Sequence, residues 1–211
     1  MKKILFFPLF FLVPHAISAS YIGLEYGLSS FSHDYSTSFS NPDRELAPDS
    51  STSTWGVKSG YRWERWEQWG VEIGYRQIRG LKDSDHVWMG NNQGYKHNIV
   101  WNSKLDINQV ILKPIYYYNL SEKFDLKTSV GLVYSMYDYS SSSYDEYDNH
   151  HIYEVKRSEK NHSSEELGAI VSIGVDYELT NKFLFGFAIE HYIDNKVSGS
   201  NVLMTTSYII N

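Results

Sequence analysis

The first clear pattern in the chain is WGVKSGYR at residues 55–62, and it returns as WGVEIGYR at residues 69–76 with only WERWEQ between the copies. In both, apolar or aromatic residues hold every second position, Ser59 excepted, while glycine and charge hold the others. An extended strand sorts such a sequence, because alternate side chains point to opposite faces. Trp55, Val57, Tyr61 and Trp63 share one face, and Gly56, Lys58, Gly60 and Arg62 the other. Trp69, Val71, Ile73 and Tyr75 divide likewise from Gly70, Glu72, Gly74 and Arg76. The water-facing side of a soluble sheet rarely alternates charge with so many glycines. Glycine beside long charged side chains fits a crowded concave interior, where small residues make room for large ones.

The alternation recurs along the chain. Ile22, Leu24, Tyr26 and Leu28 form one such row, and Leu126, Thr128, Val130, Leu132 and Tyr134 another. Leu167 to Tyr177 and Phe183 to Ile189 form two more on either side of the short turn TNK. The segment DINQVILKPIYYYNL is less clean, and NVLMTTSYIIN closes the chain with Val202, Met204, Thr206, Tyr208 and Ile210 in step. With the two copies of the opening motif, these make eight expected strands. Turns near 64–68, 119–123 and 180–182 are short, whereas residues 32–53, 79–104 and 138–164 read as long polar loops. Short turns at one end and long loops at the other predict an all-β fold, an eight-stranded antiparallel transmembrane β-barrel with periplasmic turns and extracellular loops. HIYEVKR at 151–157 keeps a strand-like alternation inside the third loop, so the fifth and sixth strands are candidates to project beyond the bilayer.

Compartment is set at the N-terminus. Lys2 and Lys3 precede the apolar run ILFFPLFFLV and the small-residue site HAISA, the pattern of a secretory signal peptide over residues 1–19, with the barrel over 20–211. The apolar run is shorter than the roughly 20 residues a membrane-spanning helix needs. Without Lys2 and Lys3, 17 basic residues face 25 acidic ones, a formal charge of −8 that argues against nucleic acid as a partner. Cysteine is absent, so neither disulfide nor thiolate chemistry is available.

The leader, eight alternating segments and three tight turns resemble the small outer-membrane barrels of the OmpA/OmpX type, and among them most the accessory colonization factor A branch. The resemblance implies a monomer inserted by the outer-membrane assembly machinery, surrounded by outer-membrane lipid and lipopolysaccharide, with a host surface or matrix ligand bound by its loops. Members of that family usually end on Phe, whereas here Ile210 holds that place and Asn211 follows.

The expected inward set is Glu25, Glu72, Asp176, Glu178 and Glu190 against Lys58, Arg62, Arg76, Lys113 and Lys127. Buried charge is costly unless paired, so five acids and five bases predict a salt-bridged plug. Function then falls to the loops. Tyr139, Tyr144, Tyr147 and Tyr153 lie among serines and acids in the third loop, a composition suited to binding surfaces. Trp88, Tyr95 and Trp101 are the next candidate exposed aromatics.

Catalytic patterns are weak. A barrel-type lipid A deacylase would place a Ser two residues beyond a late-strand His, but Tyr192, Ile193 and Asp194 follow His191. His162, Ser163 and Glu165 are neighbours in sequence, which is poor grounds for a positioned triad. Asp83, Asp85, Asp148 and His150 are a poor match to a protease on a larger barrel. Asp145, Glu146, Asp148, His150, His151 and Glu154 lack a closed metal-ligand spacing. The reading is a non-enzymatic surface protein of the cell outer membrane, without a cofactor, active in adhesion or colonization. Its alternatives are a lipid A-modifying enzyme and a soluble lipid-carrying barrel.

Overall fold

The computed structural model describes residues 19–40, 43–92, 95–148 and 152–210. Eight strands form a closed antiparallel barrel: β1 (Ala19–His33), β4 (Ser51–Arg62), β5 (Trp69–Asn92), β6 (Tyr95–Ser121), β7 (Phe124–Asp148), β8 (Ile152–Thr180), β9 (Phe183–Ile193) and β10 (Val197–Ile210). A hairpin of β2 (Thr37–Ser40) and β3 (Asp43–Leu46) sits between β1 and β4. Each barrel strand pairs with its chain neighbour, and β1 closes the ring on β10 from Ser20↔Ile210 to His33↔Val197. The leader falls almost wholly outside the described residues, as do His150 and His151.

Period two decides the faces as the sequence predicts. On β1, Leu24 is 61% exposed on the outside while Glu25 beside it is 6% exposed inside. Val57, Ile73, Leu112, Val130, Val171, Phe187 and Val202 continue the apolar outer belt around the ring. A soluble lipid carrier would turn this apolar set inward. The charged residues line the lumen instead, so the soluble-barrel alternative is incorrect. Glycine is needed where lumen side chains cross the wall: a Cβ on Gly186 would lie 2.1 Å from Asp176 Oδ1.

The expected long loops need correction. Residues 79–104 and 138–164 are mostly strand. β5, β6, β7 and β8 run for 24, 27, 25 and 29 residues, against the roughly 9–11 that cross a membrane. The fifth and sixth expected strands, β7 and β8, do continue past the rest of the ring, and β5 and β6 go with them. Outside lipid an outward face need not be apolar, so the sequence contrast fades while the hydrogen-bonded ladder continues. β5 absorbs two bulges on the way, at Ile78/Leu81 and Trp88/Gly90, where Gly80 and Gly90 take φ of 92° and 111°. The first loop is also more ordered than expected, since it carries the β2–β3 hairpin.

The interior has three levels. Charges occupy the level nearer the short turns. Above them lies an apolar cluster that includes Ile78, Leu105, Ile107, Val133, Ile170 and Tyr192. Higher still, Phe39 and Leu46 of the hairpin pack on Ile99 and Trp101.

Candidate functional site

Inside the barrel, six side chains make one continuous chain of ion pairs. Arg76 Nη2 lies 2.7 Å from Glu25 and 2.5 Å from Glu190. Lys113 Nζ lies 2.5 Å from Glu190 and 3.1 Å from Glu72, and Lys58 lies 3.2 Å from Glu72. Tyr21 donates its hydroxyl to Glu72 Oε2 at 2.7 Å. Lys127 pairs with Asp176 at 2.7 Å. The side chains around this level leave an open volume of only about 10 Å³, the bare minimum for one water. Arg62 pairs at 2.8 Å with Asp125, which the sequence reading omitted although it shares the parity of Lys127. Glu178 is half-buried and makes no ion pair among the described residues.

At the opposite end, β5, β6, β7 and β8 leave the ring as a four-stranded sheet. β4 accompanies β5 only as far as Thr54↔Ile78, and β9 accompanies β8 only as far as Ile193↔Ala169. Among the described residues the sheet beyond those points has two edges without a strand partner, one along β5 from Leu81 and one along β8 below Gly168 in sequence. The β2–β3 hairpin covers its inner face. Thr37 Oγ1 and Tyr139 Oη share a hydrogen bond of 2.6 Å, Thr37 donates to Ser141 Oγ at 3.0 Å, and Tyr35 Oη lies 2.9 Å from Ser164 Oγ. Burial raises the Tyr35 hydroxyl above its ordinary pKa, so it stays a hydrogen-bonding phenol.

This arrangement corrects part of the predicted binding surface. Tyr139 is 7% exposed and Trp101 1% exposed, both on the inner face under the hairpin, so neither is free to meet an external partner. Tyr147 is half-buried and stacks on His97 with ring centroids 4.5 Å apart, and Tyr144 is half-buried on the outer face. Trp88 and Tyr153 are exposed at the two edge strands. The side chain of Tyr95 lies outside the described residues.

Near the tip, Asp145 binds two partners. His97 Nε2 lies 2.6 Å from its Oδ1, and Arg157 donates from Nε to its Oδ2 at 2.6 Å. Burial pushes its pKa up, but the hydrogen bonds from Arg157 and His97 and their charges outweigh burial and hold it below the ordinary Asp value. Arg157 is the extra residue of a bulge between Ser143/Tyr144 and Ser158/Lys156. A cavity of about 650 Å³ opens at the base of the sheet, where Lys160, His162 and Lys196 face Asp34, Tyr35 and Asn195.

The catalytic candidates separate in space. Adjacent on one strand, His162 and Ser163 point to opposite faces, and Ser163 donates to Asp138 at 2.8 Å. The residue missing beside His191 in sequence does have a counterpart across β10: His191 Nδ1 lies 3.0 Å from Ser200 Oγ on the outward face. No carboxylate bonds His191 among the described residues, so this is a pair without a triad. Asp85 is engaged with Arg44 at 3.7 Å.

A closed, fully antiparallel ring with an apolar exterior, a charged and filled lumen and short turns at one end is a transmembrane β-barrel. The sequence matches the outer membrane protein beta-barrel domain over residues 6–209, and the chain belongs to that family, in the outer membrane. The solved N-terminal β-barrel domain of Pseudomonas aeruginosa OprF superposes with a TM-score of 0.51 at 9% identity, covering 90% of this chain and 97% of that one. OprG of the same organism gives 0.50 at 13%, covering 92% and 97%. Ail, the attachment invasion locus protein of Yersinia pestis, solved in complex with the heparin analogue sucrose octasulfate, gives 0.50 at 12%, covering 92% and 99%. At these identities the likeness is one of fold. No curated protein matches the sequence.

Proposed function

We propose that this protein is a surface-binding protein, exported through its cleaved leader and inserted as a monomer, that engages an external partner through the protruding sheet in adhesion or host colonization. One observation carries this reading: among the described residues, β8 runs from Ile152 to Gly168 with a strand neighbour on one side only. Free edge N–H and C=O groups can pair with an extended segment of another chain, which supplies main-chain affinity, while exposed side chains such as Tyr153 select the partner. The lumen network serves as a plug that lets the ring stand rigid beneath the sheet. No step of catalysis is assigned to the chain.

A second reading concerns the ligand. Lys160, His162 and Lys196 gather at one cavity of an otherwise acidic protein beside the Tyr35 ring, which supports an acidic saccharide as a further ligand class, in line with the heparin analogue held by Ail.

To test the main reading, residues 141–160 are replaced by Asn-Gly, a type I′ hairpin turn between Ser140 and Asn161, which already face each other across β7 and β8. The barrel is expected to fold and reach the surface while attachment to host cells falls to the level of a deletion strain. Normal attachment by the shortened protein would overturn the assignment to this edge.

A further inference from the structure

The turn joining β4 to β5 carries WERWEQ, residues 63–68, and runs into Trp69, the first residue of β5; none of these residues belongs to the lumen network. Trp63, Trp66 and Trp69 are all exposed, Trp66 to 65%. The turn backbone is braced, and two of the indoles are held by ring contacts. Trp63 N donates to Trp69 O at 3.1 Å, Trp69 N to Trp66 O at 2.7 Å, and Arg62 Nε to Glu67 O at 2.5 Å. Tyr117 N donates to Gln68 O at 2.7 Å. Trp63 meets Tyr61 edge-on at 5.8 Å and Trp69 meets Tyr116 edge-on at 5.1 Å. Two indoles held by ring contacts, and a third, Trp66, on a turn braced by backbone hydrogen bonds, therefore project from the end of the barrel that bears the short turns, the periplasmic end in this family.

Between them runs a groove of about 770 Å³ whose apolar wall is Trp63, Trp66, Trp69 and Pro114. Pro114 is exposed on the outer wall, so the groove opens toward lipid at the depth of the interface, where indoles are favoured. Its polar lip holds Glu64, Arg65 and Glu67. Among the described residues neither Arg65 nor either carboxylate forms an ion pair. One guanidinium between two carboxylates is a poor host for an anionic headgroup and a good one for a zwitterion. The fork of an arginine matches a phosphodiester, and a carboxylate matches a primary ammonium.

We propose that this groove is a binding site for a glycerophospholipid with a phosphoethanolamine headgroup from the periplasmic leaflet. Arg65 holds the phosphate, Glu64 or Glu67 takes the ammonium, and an acyl chain lies along Trp63, Trp69 and Pro114. The site is independent of the binding sheet at the other end of the molecule.

The full-length barrel, reconstituted in bilayers containing equal phosphatidylethanolamine and phosphatidylglycerol, is released into mild detergent and its retained lipids are weighed by native mass spectrometry. Phosphatidylethanolamine is expected to be retained about fivefold or more over phosphatidylglycerol, the scale of one charge-assisted contact. Arg65→Ala should remove the retained lipid, and Glu64→Gln with Glu67→Gln should shift the preference to phosphatidylglycerol. All three positions are exposed, and heat-modifiable gel mobility confirms that each variant is folded. Equal retention of the two lipids by the parent, or retention of phosphatidylethanolamine unchanged by Arg65→Ala, would overturn the proposal.

Discussion

The charged level of the membrane ring and the protruding sheet are continuous strands with opposite polarity. Along β6, Lys113 faces inward among ion pairs, and twelve residues earlier Trp101 faces inward within an apolar cluster. Along β7, Lys127 and Tyr139 stand in the same relation. The outward faces reverse as well, from Leu112 and Val130 in the ring to Asn102, Ser140 and Ser142 in the sheet. The solvent outside the wall sets the outer face, lipid in one region and water in the other, while the inner face is charged toward the short turns and apolar from the upper ring into the sheet. A strand can therefore pass from a membrane protein to a soluble one without a break in its ladder.

The sharpest way to break this contrast is to unpair the lumen. Glu190 serves both Arg76 and Lys113, and Glu190→Leu leaves two buried cations short of a partner, a cost of about 3–5 kcal/mol. Urea unfolding in vesicles should show that loss for the whole barrel. Trp101→Ala opens a cavity in the upper cluster, also at a cost of about 3–5 kcal/mol by the scale of large-to-small core changes. Its loss should appear as faster proteolysis of the protruding sheet and hairpin, with the urea midpoint of the ring nearly unchanged. Equal effects of the two changes on the ring would mean that the regions unfold as one unit.

Changing the outside should separate the regions again. Val130→Arg puts a charge into lipid and should cost about 2–4 kcal/mol near the midplane. Ser142→Arg, twelve residues on along the same outer face, enters water and should stay within about 0.5 kcal/mol of the parent. A smaller contrast lies within the lumen wall. Gly186→Ala drives a Cβ against Asp176 and Thr205 and should cost about 1–3 kcal/mol. Gly74→Ser should be nearly neutral, because the nearest atom to a Cβ there is 3.6 Å away.

Polarity inversion also explains what could be read from the sequence. Alternation located all eight barrel segments and their faces because lipid enforces an unbroken apolar row outside and charge marks the inside. In 79–104 and 138–164 both faces mix Ser, Asp and aromatics, so the same test registers only HIYEVKR at 151–157 as strand-like. The information was present in the parity. Trp101 is an even number of residues from Lys113, and Tyr139 from Lys127, so a continuous strand places both indole and phenol inward. Assuming a loop discards that parity and makes every aromatic look exposed. Trp88 is different, since the bulge at Ile78/Leu81 resets the alternation before it. Contacts between distant strands were legible only as a balance of charge: five acids and five bases predict pairing, but not that Glu190 joins Arg76 to Lys113, that Asp125 receives Arg62, or that Ser200 faces His191.

The smallest effect is expected at the tip, where the sheet behaves most like a soluble protein. Asp145 ties His97 on β6 to Arg157 on β8, and its pKa in the folded protein is depressed by those partners. A depressed carboxylate contributes stability that is fully present above its unfolded pKa, near the ordinary Asp value of about 3.9. That contribution fades as pH falls through the lower folded value, because protonation removes the acceptor that both partners share. The tip should accordingly exchange its backbone amides faster below about pH 4 than intrinsic exchange rates predict. Asp145→Asn should remove the pH dependence and leave fast exchange of the tip throughout. The ring carries no such dependence on Asp145, so its amides supply the internal reference. Loss of protection at low pH in ring and tip together would mean that acid acts on the lumen network and not on this clasp.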